Sequence, residues 1–475
     1  MISTSIIYFI FLACTFLVFY IFPPKYRNYI LLLASLVFYA YVKISYVFIL
    51  AAIIITNYII GLKIEQANGK IIKTRYLYFS LLINIGILIY FKYWNFFIDS
   101  IFNFPGLASI KNNFIIAEVI LPLGLSYYIF QTIGYILDIY RGSLKAEKDF
   151  AKFSLFTLFF PKLLVGPIER AKNILPQLAT GQIFKYENLV EGAKTIIWGL
   201  FKKLVVADRI SLYVDAVYTH LPQHNSTTFW FATFLYPIQV YADFSGYTDI
   251  AIGSAKLFGI NLMDNFKRPL FAKNVSDFWR RWHISLSSWV NDYIYNPIVF
   301  KRRDWGNMGI AYALIISFIV IGVWHGASWN FVLFGVLQAS ALIYEVLTKS
   351  RRKKISKKLP EFIYTGFSIL LTFAFFTLSL IIFRTTTYDG AEKILQIVNS
   401  APGRLFLDQP STILFIFVGI VILLTSDFIT EFGTSNKLNK LKENWLIQHL
   451  LYAFLIIYII AGGVFDGGQF IYFAF

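Results

Sequence analysis

Sulfur, charge and the signatures of soluble enzymes are all scarce in this chain. Only one of its 475 residues is a cysteine, Cys14 in the first apolar run, so no intrachain disulfide and no cysteine-based metal site can form. Charged residues make up 15% of the chain against 57% hydrophobic and 19% aromatic residues. A soluble domain has no use for that much apolar surface, whereas a bundle facing lipid does, so the composition reads as a polytopic membrane protein. No Walker loop, dinucleotide fingerprint, Gly-x-Ser-x-Gly elbow or His-Glu-x-x-His stretch occurs, and no metal-ligand set stands out. Internal repeats, a soluble domain and a low-complexity tail are also missing. Acidic residues are few, 26 against 43 basic, for a net charge of +17. The basic residues fall mostly in short loops between apolar runs, which is an orientation signal and not a nucleic-acid footprint.

What the chain has is apolar runs. The clearest are Ile6–Phe22, Asn28–Val42, Ser45–Leu62, Tyr76–Phe97, Ala117–Ile139, Phe229–Ala242, Ile310–Val323, Phe331–Leu347, Phe362–Phe383, Ile413–Ile429 and Leu450–Gly462. Several fall short of the roughly 20 residues that cross a ~30 Å hydrocarbon core straight, which predicts broken or re-entrant segments lining a cavity. The first run lacks a basic leader and a small-residue cleavage site, and Pro23-Pro24-Lys25-Tyr26-Arg27 follows it. It is therefore read as a retained span and not a removed signal peptide.

Basic clusters set the orientation. They comprise Lys25 and Arg27; Lys63, Lys70, Lys73 and Arg75; Arg141, Lys145 and Lys148; the dense run from Lys349 to Lys358; and Lys437, Lys440 and Lys442. All can be cytoplasmic if both termini are extracytoplasmic. From Lys267 to Arg303 eight basic residues face two acids, a local +6. This charge puts His283 on the cytoplasmic side, while Ile310–Val323 carries His325 deep into the membrane or beyond it. The two histidines are thus expected on opposite sides of a cavity. Three stretches are not ordinary spans. Phe153–Val165 is too short to cross and precedes Gly166-Pro167, as a re-entrant segment would. Leu189–Tyr218 mixes apolar periodicity with charge and reads as an interfacial helix in preference to a poor span. Asp264–Asp304 fits short helices lying at the cytoplasmic interface.

Two of the five histidines sit in contrasting settings. His325 stands in Trp324-His325-Gly326 at the end of an apolar run, with Gly322 and Gly326 thinning the backbone on either side. A neutral imidazole there can accept a proton from a hydroxyl near pH 7; the plainer alternative is a hydrogen bond between helices. His283 follows Trp279, Arg280, Arg281 and Trp282. The arginines suit a phosphorylated donor, or equally are snorkelling positive-inside charges, with Trp279, Trp282 and Trp289 as interfacial anchors. Asp243 and Asp249 flank Gly246, which argues against one continuous helix. They read as capping and interhelical hydrogen bonds before an ion or proton site. Lys162, ahead of Gly166-Pro167-Ile168-Glu169-Arg170, is a gate or the polar end of a re-entrant loop. His220, His224 and His449 are given no role.

Four blocks in order carry a resemblance: Phe160 to Ile168, Asp243 to Tyr247, Asp277 to Trp289, and Trp324 to Trp329. In these the chain resembles the membrane-bound O-acyltransferase (MBOAT) family, in its bacterial alginate O-acetylase-like and peptidoglycan O-acetyltransferase-like branch, over nearly its whole length. The resemblance implies an all-α polytopic fold: a ring of about 11 transmembrane helices with re-entrant and interfacial helices around a central funnel. It implies one integral-membrane domain over 1–475, with N-terminal spans in 1–140, the catalytic core in 141–350 and C-terminal spans in 351–475. His325 corresponds to the family's essential histidine, as general base or transient acyl carrier, and His283 to its second histidine. Arg280 and Arg281 would orient the thioester or bind donor phosphates. Trp324, Asn330, Asp243 and Lys162, within or beside the matching blocks, are counted as substrate-binding candidates.

The implied reaction is transfer of an acetyl group from acetyl-CoA, a substrate and not a bound cofactor, across a bacterial cytoplasmic membrane. An extracytoplasmic acetyltransferase partner and a polysaccharide acceptor would complete it. D-alanyl transfer from a carrier protein to teichoic acid stays open, as does a transporter or flippase. The second would leave acetyl-CoA intact and usually shows two related halves, which this chain lacks.

Overall fold

In a computed structural model of the chain, residues 3–41, 43–102, 121–385, 388–407, 409–433 and 444–465 are described, and among them there is no β-strand. The chain divides into two compact units, Met1–Ala193 with Ala251–Met263, and Lys194–Ile250 with Asp264–Phe475.

The first unit opens with α1 (Ile6–Ile21), α2 (Pro24–Ala40), α3 (Ile44–Gln66) and α4 (Lys70–Leu88), which runs through a π turn into α5 (Trp94–Phe102). Then come α6 (Leu125–Tyr140), α7 (Phe150–Leu158), α8 (Phe160–Leu163) and α9 (Ala171–Ala179). Ser5 caps α1 by accepting from the Tyr8 N–H, and Pro24 opens α2 at a position where a missing N–H costs nothing. Fourteen of the sixteen residues of α6 are buried, so it need not be apolar throughout. Asn57 of α3, Ser80 and Asn84 of α4 and Thr132 of α6 join these helices by buried hydrogen bonds of 2.9–3.2 Å, the polar contact expected where lipid removes the hydrophobic drive between helices.

The stretch read as re-entrant forms the broken pair α7 and α8. Phe159 leaves helical geometry (φ −45°, ψ 107°) and Pro161 restarts the chain. A Cβ at Gly166 would lie 2.3 Å from Lys162 Cα, and one at Gly124, whose φ is +76°, 2.4 Å from the Leu163 carbonyl. Glycine is what lets the chain double back here.

From Tyr186 the helix α10 (Tyr186–Leu200) passes through a π segment, Phe201–Ala207, into α11 (Asp208–Thr219). Every residue of the π segment is buried, Lys202 and Lys203 included. The stretch read as an interfacial helix over 189–218 is thus enclosed in its middle, where a surface helix would keep one wet face. α12 (Ser226–Leu257) is a second departure, 32 residues of unbroken helix through Pro237 and Gly246. Gly246 does not break the helix; it allows close packing. A Cβ there would meet the Gly199 carbonyl at 2.8 Å, and one at Gly199 would meet the Gly246 carbonyl at 2.6 Å.

The short helices α13 (Val275–Arg281), α14 (Ile284–Val290) and α15 (Asn296–Lys301) follow, as expected for 264–304. After them come α16 (Asn307–His325), α17 (Trp329–Ser356), α18 (Glu361–Arg384), α19 (Tyr388–Val398), α20 (Pro410–Phe432) and α21 (Trp445–Gly462). Each of the eleven apolar runs falls mainly in a helix; Phe22, Tyr41 and residues 121–124 lie just outside α1, α2 and α6, and Val42 and residues 117–120 fall outside the described residues. Among those residues seven helices are long and apolar enough to cross a membrane: α3, α4 with α5, α16, α17, α18, α20 and α21. Their outer faces show Ile44, Leu82, Phe362, Leu370, Phe417 and Ile457, each more than 60% exposed, an apolar belt that only lipid would cover. α16 and α17 cross closely, because a Cβ at Gly322 would lie 2.1 Å from the Phe331 carbonyl and one at Gly335 2.2 Å from that of Phe318.

Candidate active site

The site forms in the second unit, where the turn between α13 and α14 meets the end of α16. Asn274 caps α13 by accepting from the Asp277 N–H at 2.8 Å. Glu345 of α17 takes the free N–H groups of Val275 and Ser276 at 2.7 and 3.1 Å. The expected interfacial anchors are not at an interface. Trp279, Trp282 and Trp289 are 6%, 2% and 5% exposed. The Trp279 indole N–H donates to Gln338 Oε1 (3.2 Å), and Trp282 packs on Phe376 with ring centroids 5.4 Å apart. Tryptophan suits both settings, and here it fills the core.

His283 is completely buried and has left-handed backbone (φ 44°, ψ 52°), a conformation few non-glycine residues hold without support. Asn265 supplies the support. Its carbonyl oxygen accepts from the Ser285 N–H (3.1 Å) and the Ser285 hydroxyl (2.9 Å), and its backbone carbonyl accepts from the Ile284 N–H (2.9 Å). His283 Nδ1 lies 3.3 Å from that same Asn265 Oδ1. Because the oxygen can only accept, Nδ1 carries the proton and Nε2 the lone pair. Burial holds the His283 imidazole well below its ordinary pKa, and neighbouring His325 adds to the effect, so the ring is neutral at pH 7. Its Nε2 has no hydrogen-bond partner among the described residues.

His325 ends α16 and is 4% exposed. Its Nδ1 is 2.7 Å from the Ile321 carbonyl one turn back. A carbonyl accepts only, so here too Nδ1 bears the proton and the lone pair is at Nε2. Trp324 stands between the histidines, its ring 5.3 Å from His283 and 5.0 Å from His325, centre to centre. The expected separation across a cavity thus narrows to one indole. Phe244 closes the far side of His283 at 4.7 Å and Phe383 flanks His325 at 5.5 Å.

A cavity of about 450 Å³ lies beside this cluster, lined among others by Arg280, Tyr295, Ser288, Ser317 and Ile321, the residue holding His325; His283, Trp324 and His325 themselves are not on its wall. It shares Ser276, Arg280, Tyr295, Leu314 and Leu342 with a second space of about 340 Å³ that reaches Lys349 and Arg352. Together they form one groove, apolar inside, with Arg280, Lys349 and Arg352 at the mouth beside Glu345, which lies 4.0 Å from Arg352. The Ser317 hydroxyl is buried on it with no partner among the described residues.

The two neighbouring arginines part company. Arg280 is exposed at the mouth of the groove. Arg281 turns away, paired with Asp277 (3.1 Å) and Glu431 (2.9 Å). Asp243 is buried in an ion cluster: Lys203 Nζ lies 2.5 Å from Asp243 and 2.7 Å from Asp208, while the adjacent Lys202 pairs with Asp249 at 2.5 Å. Asn330 occupies the first turn of α17, half-buried, with its N–H 3.4 Å from the capping hydroxyl of Ser328. Lys162 belongs to the first unit, fully buried, where it donates to Gln131 Oε1 with its ammonium 5.1 Å from the Phe156 ring centre.

Asn265, Ser285 and Ser317 escaped the reading of the sequence, since a single asparagine in a loop or a single serine in a helix carries no spacing signal. Lys349 and Arg352 were visible there only as orientation charges.

Residues 143–386 match the profile of the MBOAT, membrane-bound O-acyltransferase family. The chain is 34% identical over 348 residues to a probable alginate O-acetylase of Azotobacter vinelandii, covering 72% of this chain and 68% of that one. It is 30% identical over 482 residues to a peptidoglycan O-acetyltransferase of Helicobacter pylori, covering 95% and 85%. A teichoic acid D-alanyltransferase of Bacillus subtilis is 30% identical over 270 residues, covering 55% of this chain and 68% of that one.

Proposed function

The chain belongs to the membrane-bound O-acyltransferase family, and from that premise we propose that this multi-pass membrane enzyme moves an acetyl group from cytoplasmic acetyl-CoA across the membrane for O-acetylation of an exported or cell-wall polysaccharide. The observation that carries the reading is the groove that runs from a basic mouth to the residue fixing His325. A CoA-like donor has phosphates at one end and a slim apolar arm ending in a thioester at the other. Arg280, Lys349 and Arg352 suit the phosphates, and the apolar interior suits the arm.

At the inner end, the acceptor oxygen forms its bond to the acyl carbon while His325 Nε2 takes the hydroxyl proton. The C–S bond breaks, and the thiolate leaves and is protonated as free CoA. The same lone pair would serve a transient acyl-imidazole. His283 Nε2, also a lone pair in a dry site, accepts from an amide N–H of the donor arm and so orients the thioester. Asn330 is the candidate contact for the acceptor. Arg281, Asp243 and Lys162 are already engaged by protein groups, and we assign them to holding the fold of their own units. The basic mouth faces the cytoplasm of a bacterial inner membrane, both termini lie outside, and an extracytoplasmic partner hands the acetyl group to its glycan.

Similarity to the teichoic acid D-alanyltransferase supports a second donor, a D-alanyl thioester on a carrier protein, but over a smaller share of the chain than the acetylases. Thiol release from acetyl-CoA and from a D-alanyl carrier, measured side by side on native membranes, separates the two. Release from acetyl-CoA alone supports the proposal, and release from the carrier alone overturns it.

A further inference from the structure

A second cavity of about 320 Å³ in the same unit has no part in the transfer. Its inner wall is Phe266, which packs on Phe244 and Trp282, each 5.0 Å away by ring centres, and so screens it from His283. Its lining is charged: Lys194, Lys202, Lys267 and Arg268 face Asp249 and Asp427. The floor is internally paired. Lys202 holds Asp249 at 2.5 Å, and the Tyr241 hydroxyl donates to Asp427 at 2.8 Å. The rim keeps positive charge to spare. Lys194 is bonded to the neutral Gln448 at 2.6 Å and lies 5.5 Å from the Tyr452 ring centre. Among the described residues the Lys267 ammonium has only an exposed 3.5 Å contact with Asp264. Arg268 shares Glu431 with Arg281.

The setting of this cavity points to its ligand. Asp427 and Tyr452 stand on α20 and α21, two helices long and apolar enough to cross a membrane, and Trp198 also lines the wall. Next to Asp427 and one turn beyond Tyr452, Phe428 and Ile456 are 54% and 42% exposed, apolar surface that fits acyl chains and that a free anion would not need. We propose that this cavity binds the phosphate-diester headgroup of a membrane phospholipid, with Lys194, Lys267 and Arg268 on the phosphate and Asp427 facing any headgroup ammonium.

Native mass spectrometry of the full chain in a maltoside detergent tests this, with phosphatidylglycerol, phosphatidylethanolamine and diacylglycerol of identical acyl chains, and with inorganic phosphate alone. Either phospholipid should be retained in preference to diacylglycerol. The double variant Lys194→Ala/Lys267→Ala should bind it roughly 30-fold more weakly, while Lys172→Ala, a surface change in the other unit, binds as wild type. If the alanine pair fails to fold by thermal shift, Lys194→Gln/Lys267→Gln replaces it. Equal retention of diacylglycerol, unchanged binding in the folded double variant, or tight binding of inorganic phosphate without lipid would each overturn the proposal.

Discussion

Replacing Arg280 and Arg281 one at a time should give opposite results from adjacent positions. Arg280 makes no ion pair among the described residues and stands at the mouth of the groove. A charge-assisted hydrogen bond to phosphate is worth about 1.5–3 kcal/mol, but exposure and salt take it toward the lower figure. Arg280→Ala should therefore raise KM for acetyl-CoA about tenfold, with kcat and thermal midpoint near wild type. The loss should shrink in high salt, and Arg280→Lys should recover part of it. Arg281, 18% exposed at the side chain, bridges Asp277 and Glu431, and Arg268 at 2.8 Å would still partner Glu431 without it. Arg281→Ala should then cost about 1–3 kcal/mol of stability and leave KM unchanged in the folded fraction. Steady-state thiol release and thermal shift on the same preparations read both effects. A KM rise in Arg281→Ala with none in Arg280→Ala would refute the assignment of the mouth.

Three other changes follow from the packing. Asn265→Ala removes the acceptor that holds Ser285 and the His283 tautomer; kcat should fall about 10- to 100-fold, and unchanged kcat would remove Asn265 as a positioning residue. Gly322→Ala forces a Cβ to within 2.1 Å of the Phe331 carbonyl and should cost about 1–3 kcal/mol, whereas Gly366→Ala, with nothing within 4 Å, should leave the thermal midpoint near wild type. Asp243→Ala leaves Lys203 with Asp208 as its remaining carboxylate and should destabilise by about 3 kcal/mol. Asp243→Asn, which also removes the charge, should lose most of the same amount, and a midpoint for Asp243→Asn near wild type would contradict a load on the charge.

The apolar runs were legible because a lipid-facing helix must be apolar over its length whatever it packs against, and α16 to α18, α20 and α21 appear where those runs lie. α6 and α12 were legible as helices but not as enclosed ones, since burial depends on neighbours distant in sequence. The histidines were found through blocks shared with a family, not through periodicity. Their closeness was not legible, because it depends on a left-handed turn at His283 that Asn265, 18 residues earlier, stabilises. Arg280 and Arg281 look alike in sequence, and Glu431, which separates their roles, lies 150 residues beyond Arg281. Gly246 read as a helix breaker because glycine is costly inside helices in general, yet here the close approach of Gly199 is what requires it.

The most direct test of the central chemistry is thiol release from acetyl-CoA by His325→Ala, on membranes that retain the acceptor and partner, with folding verified by thermal shift. With His325 Nε2 as base or acyl carrier, turnover should fall at least about a hundredfold. Turnover near wild type in the folded variant would contradict that role for His325.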